Sequence, residues 1–161
     1  MALLAAAASL TSDDIPRRLR DIWLNYDEAP VFDHWVEYAE HYEAHFPAPD
    51  GTPLTLREIG VQSGGSARMW KQWYGERLRY VGIDVEPATM RTASASEDMH
   101  VMIGSQSDEA FLREVCARHG PFDIVIDDGG HTAELIKASL RVLFPETSGC
   151  MKLPSMYVIE D

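Results

Sequence analysis

From residue 54 onward the chain repeats a rhythm that leaves few folds open to it: a short apolar run, a glycine or a carboxylate, then a helical stretch. The apolar runs cover residues 54–61, 78–85, 100–103, 122–126 and 156–159, with helical spacing at 63–73, 108–119 and 132–144. The fourth run, Phe122-Asp123-Ile124-Val125-Ile126, is rich in β-branched residues and lies between Gly120-Pro121 and Asp127-Asp128. Strands alternating with helices form βαβ units, whose crossovers cover both faces of a mainly parallel sheet. The expected class is therefore α/β.

Ahead of this unit, residues 13–50 form a helical segment dense in aromatics: Trp23, Tyr26, Phe32, Trp35, Tyr38, Tyr42 and Phe46. Ser12 or Asp13 is the expected cap, with Pro16 in the first turn. Arg17-Arg18-Leu19-Arg20 reads as a solvated helix face, and residues 47–53, with Asp50-Gly51 among them, as a turn-rich break. Residues 1–12 are expected to be frayed or disordered; their apolar start has no basic flank and is too short to span a bilayer.

The chain has 161 residues and a formal net charge of -12. That length suits one domain with a real core. A polyanion is repelled by such a surface, so nucleic acid is a poor partner, and a small molecule suits the balance better. Cys116 and Cys150 are the two cysteines, too few for a disulfide framework or a cysteine metal site. Both are expected to be reduced, in a cytoplasmic protein with no membrane partner and open to homo-oligomerisation.

In an open parallel sheet, ligands bind beyond the carboxyl ends of the strands. Glu58-Ile59-Gly60-Val61-Gln62-Ser63-Gly64-Gly65-Ser66 ends the first strand and opens a helix. Its glycines allow close approach to the backbone, yet their spacing is not the G-x-G-x-x-G of a pyrophosphate cradle. Gly82-Ile83-Asp84 ends the second strand, where a carboxylate can accept both ribose hydroxyls. Each feature alone has a purely structural reading, as a βα turn or a helix cap. Together they point to a nucleoside. Glu58 is unusual in a buried strand and suits a polar contact near the amino-acid end of a ligand.

Two further strand ends carry Asp127-Asp128-Gly129-Gly130-His131 and Ile159-Glu160-Asp161. Both lie on one edge of a parallel sheet, so four carboxylates are expected to converge. Their repulsion can be relieved by a divalent cation such as Mg²⁺, Mn²⁺ or Ca²⁺, or by helix-capping bonds. Beside a metal, His131 becomes a candidate base. Histidine titrates near roughly 6.5 and water near roughly 15.7. The gap corresponds to about 12 kcal/mol, more than histidine bridges unaided. His34, His41 and His45 form another group, more readily explained by packing or substrate contact than by a metal.

Glu58-Ile59-Gly60-Val61, Gly64-Gly65-Ser66-Ala67-Arg68-Met69-Trp70, Gly82-Ile83-Asp84, Gln106-Ser107-Asp108 and the run from Phe122 to His131 together resemble the macrolide-sugar O-methyltransferases. Asp33-His34-Trp35 and residues 41–46 resemble the segment before that family's first strand. The resemblance implies a Rossmann-like class I methyltransferase fold, with an S-adenosylmethionine-binding domain over residues 54–161. It implies cofactor contacts from Glu58, Gly60, Ser66, Asp84, Gln106 and Asp127. It further implies Mg²⁺ held by Asp128, Glu160 and Asp161, His131 as general base, and a sugar hydroxyl of a glycosylated small molecule as acceptor. Ser105 departs from the family's usual Asp, and residues 146–153 replace a short Pro-Gly-Gly turn. The family's last helices and antiparallel edge hairpin are expected to be lacking. A non-catalytic cofactor-binding protein and a nicotinamide-dependent oxidoreductase are the alternatives.

Overall fold

A computed structural model describes residues 18–26, 35–93 and 97–160. Five strands, β1 (Leu54–Ile59), β2 (Leu78–Asp84), β3 (Met99–Ile103), β4 (Phe122–Asp127) and β5 (Met151–Ile159), form one sheet in the order β3-β2-β1-β4-β5. All neighbours are parallel, as the βαβ rhythm requires. The order reverses direction at β1, between β2 and β4, which makes the crevice above β1 and β4 the switch point of the sheet.

The helices are α1 (Leu19–Leu24), α2 (Glu37–His45), α3 (Gly65–Tyr74), the short α4 (Met90–Ala93), α5 (Glu109–His119) and α6 (Ala133–Leu143). Successive strand residues point to opposite faces, so each strand feeds two cores. Leu54, Leu56, Leu78, Tyr80, Ile124 and Ile126 pack on one side against α1, α2 and α3. Ile59, Val81, Ile83, Phe122 and Val125 pack on the other against Leu112 and Val115 of α5 and Val142 and Leu143 of α6. Burial on both faces explains why the strands read as near-continuous apolar runs.

The caps of α5 and α6 follow from their sequences. Asp108 accepts from the Phe111 amide at 3.1 Å and Thr132 from the Leu135 amide at 3.4 Å.

Four expectations change. Within residues 13–50 the described helices are two short ones, α1 and α2, and the expected caps near residues 12–16 lie outside the described residues. Arg18 and Arg20 are exposed as expected, but Leu19 between them is fully buried and the two arginines pair with Glu43 and Glu40 of α2, so this face also carries a helix–helix contact. β5 begins at Met151, five residues earlier than its apolar signal, and the β4 register shifts between Phe122 and Ile124. Pro154 lies within it, between Met151 and Met156, where the pairing with β4 is irregular and a ladder bond is not required of it.

The cysteines are the fourth. Cys116 and Cys150 were expected to be reduced, but the structure joins them in a disulfide across a separation of 34 residues, with Cα atoms 5.2 Å apart. The last turns of α5 lie over the start of β5, and that proximity is a tertiary fact with no trace in cysteine spacing. Among the described residues no helix is long and apolar enough to cross a membrane.

Candidate functional site

The carboxyl ends of β1, β2 and β4 open into a cleft of about 740 Å³, within the roughly 300–1,000 Å³ usual for small-molecule sites. Three backbone bonds pin its floor. The Gly60 amide donates to Ile83 O at 2.9 Å, the Asp128 amide to Ile59 O at 2.9 Å, and the Gly104 amide to Asp84 O at 2.8 Å. Gly60 has φ +88°, and a Cβ there would overlap the Asp128 carbonyl. Only glycine lets the β1 turn and the β4 turn approach so closely.

Asp84 lines the cleft and is held by three backbone amides. Its Oδ2 accepts from Val61 at 2.8 Å and Gln62 at 3.0 Å, and its Oδ1 accepts from Glu86 at 2.8 Å. A carboxylate has about four lone-pair sites, so this clasp leaves room for about one further donor rather than the two expected. The same bonds stabilise Gln62 in its left-handed conformation, φ 47°. Asp84 therefore shapes the glycine turn as well as facing the ligand space.

Glu58 sits one layer back. It is 1% exposed, accepts from Ser66 Oγ at 2.9 Å and from the Tyr80 hydroxyl, and does not line the cleft. Ser66 does line it, so Glu58 reaches the ligand space through Ser66. Asp127 is likewise 1% exposed and away from the cleft lining. Its Oδ2 accepts from Ser139 Oγ at 2.5 Å and Tyr157 OH at 3.0 Å, its Oδ1 from Gln106 Nε2 at 3.0 Å. Gln106 lines the cleft and is itself buried.

Of the four acids expected to converge, the three that are described take different partners. Asp127 turns towards α6 and β5, whereas Glu160, also buried, accepts from the hydroxyl of Tyr42 on α2. Asp128 lines the cleft, and Asp161 lies outside the described residues. Adjacent residues on an extended chain face opposite ways, which separates Asp127 from Asp128. The acids that share the α2 and α3 face are met by phenols. Burial and the charges of Glu160, Glu58 and Asp128 push the Tyr42 hydroxyl far above its usual range, and burial with Glu58 does the same for Tyr80. Both stay neutral donors. Among the described residues no group of three or more His, Cys, Asp and Glu side chains is placed to hold a metal ion.

His131 lines the mouth of the cleft, half exposed, with Nε2 3.6 Å from Asp128 Oδ1. Its φ of 47° is a left-handed backbone rarely adopted by a residue with a side chain. His41 and His45 are exposed, and His45 Nδ1 lies 2.8 Å from the His41 carbonyl on its own helix; His34 is outside the described residues.

Sequence reasoning missed the hydroxyls that serve these acids: Tyr42, Tyr80, Ser139 and Tyr157. For Tyr80 a signal existed. Glu58 pairs with Gly82 across β1 and β2, and Tyr80 is two residues earlier, on the same face of the sheet. The other three come from elements distant in sequence.

A parallel sheet in this order, with a glycine turn after β1 and a carboxylate after β2 facing one cleft, defines an α/β domain of the class I methyltransferase type. No family model matches the chain. It is 36% identical over 135 residues to the demethylmacrocin O-methyltransferase of Streptomyces fradiae, covering 80% of this chain and 32% of that enzyme. It is 36% identical over 138 residues to the mycinamicin VI 2''-O-methyltransferase of Micromonospora griseorubida, covering 81% of this chain and 32% of that enzyme. The MycE methyltransferase of the mycinamycin pathway, solved with Mg, SAH and mycinamycin VI, superposes with a TM-score of 0.74 at 32% identity. That superposition covers 90% of this chain and 37% of MycE. Over the matched stretch this chain is similar to macrolide-sugar O-methyltransferases. It spans about a third of the length of these relatives.

Proposed function

We propose that this chain binds S-adenosylmethionine in the cleft above β1, β2 and β4 and serves the O-methylation of a sugar hydroxyl on a glycosylated small molecule. One observation carries the reading. Gly60, Ser66, Asp84 and Gln106 line the same cleft as Asp128 and His131, in a chain whose relatives are sugar O-methyltransferases.

The residues fit a nucleoside. Gly60 leaves backbone open at the floor, Asp84 holds an oriented carboxylate beside it, and Gln106 closes the third wall. Of the six cofactor residues expected, these three and Ser66 face the ligand space. Glu58 and Asp127 act from behind by fixing Ser66 and Gln106.

Bound S-adenosylmethionine supplies a methyl group made electrophilic by its sulfonium. Asp128, Glu160 and Asp161 are hard oxygen donors suited to Mg²⁺, which would acidify a hydroxyl near them. His131 at the mouth takes up the hydroxyl proton as the oxygen–methyl bond forms and the carbon–sulfur bond breaks. The walls of the cleft supply orientation, a large share of the acceleration in a transfer to an already activated carbon.

Calorimetric titration with S-adenosylmethionine, in Mg²⁺ and then in EDTA, tests the binding claim, and a glycoside panel tests transfer. His131→Ala is expected to leave cofactor affinity unchanged and lower turnover by roughly 10²- to 10⁴-fold. Undiminished turnover would remove His131 as the base. A second reading, cofactor binding without turnover, is favoured by the engagement of Glu160 with Tyr42; binding with no transfer to any glycoside supports it. The nicotinamide alternative predicts NAD binding in the same titration.

A further inference from the structure

Gln106 makes a connection that cofactor contact alone does not require. Its Nε2 donates to Asp127 Oδ1 at 3.0 Å, and its Oε1 accepts from the Gly130 amide at 2.7 Å. The two partners fix the orientation of the amide, because a carboxylate only accepts and a backbone N–H only donates. Glutamate here would set two carboxylates against each other, and lysine would leave the Gly130 amide without an acceptor.

The anchor is rigid. The other oxygen of Asp127 is taken by Ser139 of α6 and Tyr157 of β5, so three elements converge on one buried carboxylate. The other end of the strut is a strained turn. Gly130 directly precedes His131, whose left-handed backbone, φ 47°, is unfavourable for a residue with a side chain. Such a conformation persists only where its surroundings over-determine it. Downstream, Thr132 caps α6; upstream, the hydrogen bond from Gly130 to Gln106 supplies the restraint. The fit at Gly129 is equally close, since a Cβ there would overlap Gln106 Oε1.

Gln106 and its neighbours Gly104 and Ser105 also line the cleft, beside Asp84. A ligand that packs against residues 104–106 therefore presses on the side chain that holds the His131 turn. We propose that Gln106 is a positioning residue, a hydrogen-bonded strut that transmits nucleoside occupancy of the cleft to residues 129–131 and so to the His131 imidazole. This rests on reading the cleft as the S-adenosylmethionine site.

The test uses S-adenosylhomocysteine at saturation, so that a change in affinity does not enter the result. Calorimetry establishes binding; amide exchange at His131 and the NMR signal of its imidazole report the turn. In the wild-type chain the ligand is expected to slow exchange at His131 by about fivefold or more and to move the imidazole signal. Gln106→Leu, which removes both bonds, is expected to bind the ligand and lose both responses. Gly129→Ala, whose Cβ would overlap Gln106 Oε1 and force it away from the Gly130 amide while keeping the glutamine, is expected to do the same.

Ser139→Ala loosens Asp127 but leaves the Gln106–Gly130 bond in place. It is expected to keep both responses, which separates transmission from general loosening. Ligand binding with no response in the wild type, or with an undiminished response in Gln106→Leu or Gly129→Ala, overturns the strut and leaves the cofactor reading intact. Failure of the wild-type chain to bind S-adenosylhomocysteine overturns both.

Discussion

β1 buries two charged side chain types at successive positions, and the sheet treats them differently. Glu58 faces α3, where Ser66 Oγ and the Tyr80 hydroxyl both donate to it. Arg57 faces α5 and α6, is fully buried, and donates from Nη1 to Cys116 Sγ at 3.8 Å, with its guanidinium 5.4 Å from the Phe122 ring centroid. Among the described residues its Nε and Nη2 have no hydrogen-bond partner. Burial lowers its pKa to about 10, against smaller opposing effects of Tyr157 and Asp127. One face thus turns a buried polar group into a positioning device for the cleft, while the other carries one as a liability. The difference lies in the partners each face supplies, because desolvation is severe on both.

Removing the well-served group should do the most harm. Glu58→Leu strands the Ser66 and Tyr80 hydroxyls in the α3 face and is expected to lower unfolding stability by about 3–4 kcal/mol, read by urea denaturation. If that variant is as stable as the wild type, the Glu58 cluster does not hold the face together.

Arg57→Leu should move in the opposite direction. The depression from the ordinary arginine range to about 10 corresponds to a penalty of about 3 kcal/mol. After loss of the alkyl and ring contacts, a net gain of about 2 kcal/mol is expected. Arg57 is charged in both folded and unfolded chains below about pH 10, so the gain should be constant there. It should shrink as pH rises from about 10 towards the ordinary arginine range, where the folded wild-type chain sheds the proton first and its penalty is relieved. A variant less stable than the wild type would show that the guanidinium is better served than its contacts indicate.

Ser66→Ala gives the smallest effect and sharpens the contrast. Tyr80 still donates to Glu58, so the expected loss is about 1 kcal/mol, with a larger effect on S-adenosylmethionine affinity if Ser66 carries the influence of Glu58 into the cleft. Equal affinity in calorimetry would confine Glu58 to a structural role.

The local features were legible because local physics produces them. The apolar runs marked five strands, the helical stretches at 108–119 and 132–144 marked α5 and α6, and Gly60 and Asp84 stood at the strand ends where a parallel sheet places its ligand. What could not be read was which face of the sheet each acid would meet. Asp127 and Asp128 are neighbours in the chain, yet one is a buried hub for Gln106, Ser139 and Tyr157 and the other lines the cleft. The disulfide and the Tyr42–Glu160 bond depend on pairs 34 and 118 residues apart.

By itself, then, the sequence determined the α/β alternation, the glycine turn at β1 and the carboxylate after β2, because strand period, glycine backbone freedom and capping act within a few residues. The tertiary structure alone decided that Glu58 is served by hydroxyls while Arg57 is not, that Asp127 turns towards α6 and β5 while Glu160 meets Tyr42, and that Gln106 ties the cleft to the His131 turn. Those outcomes depend on which side chains long-range packing brings within hydrogen-bond reach, and no local pattern encodes that distance.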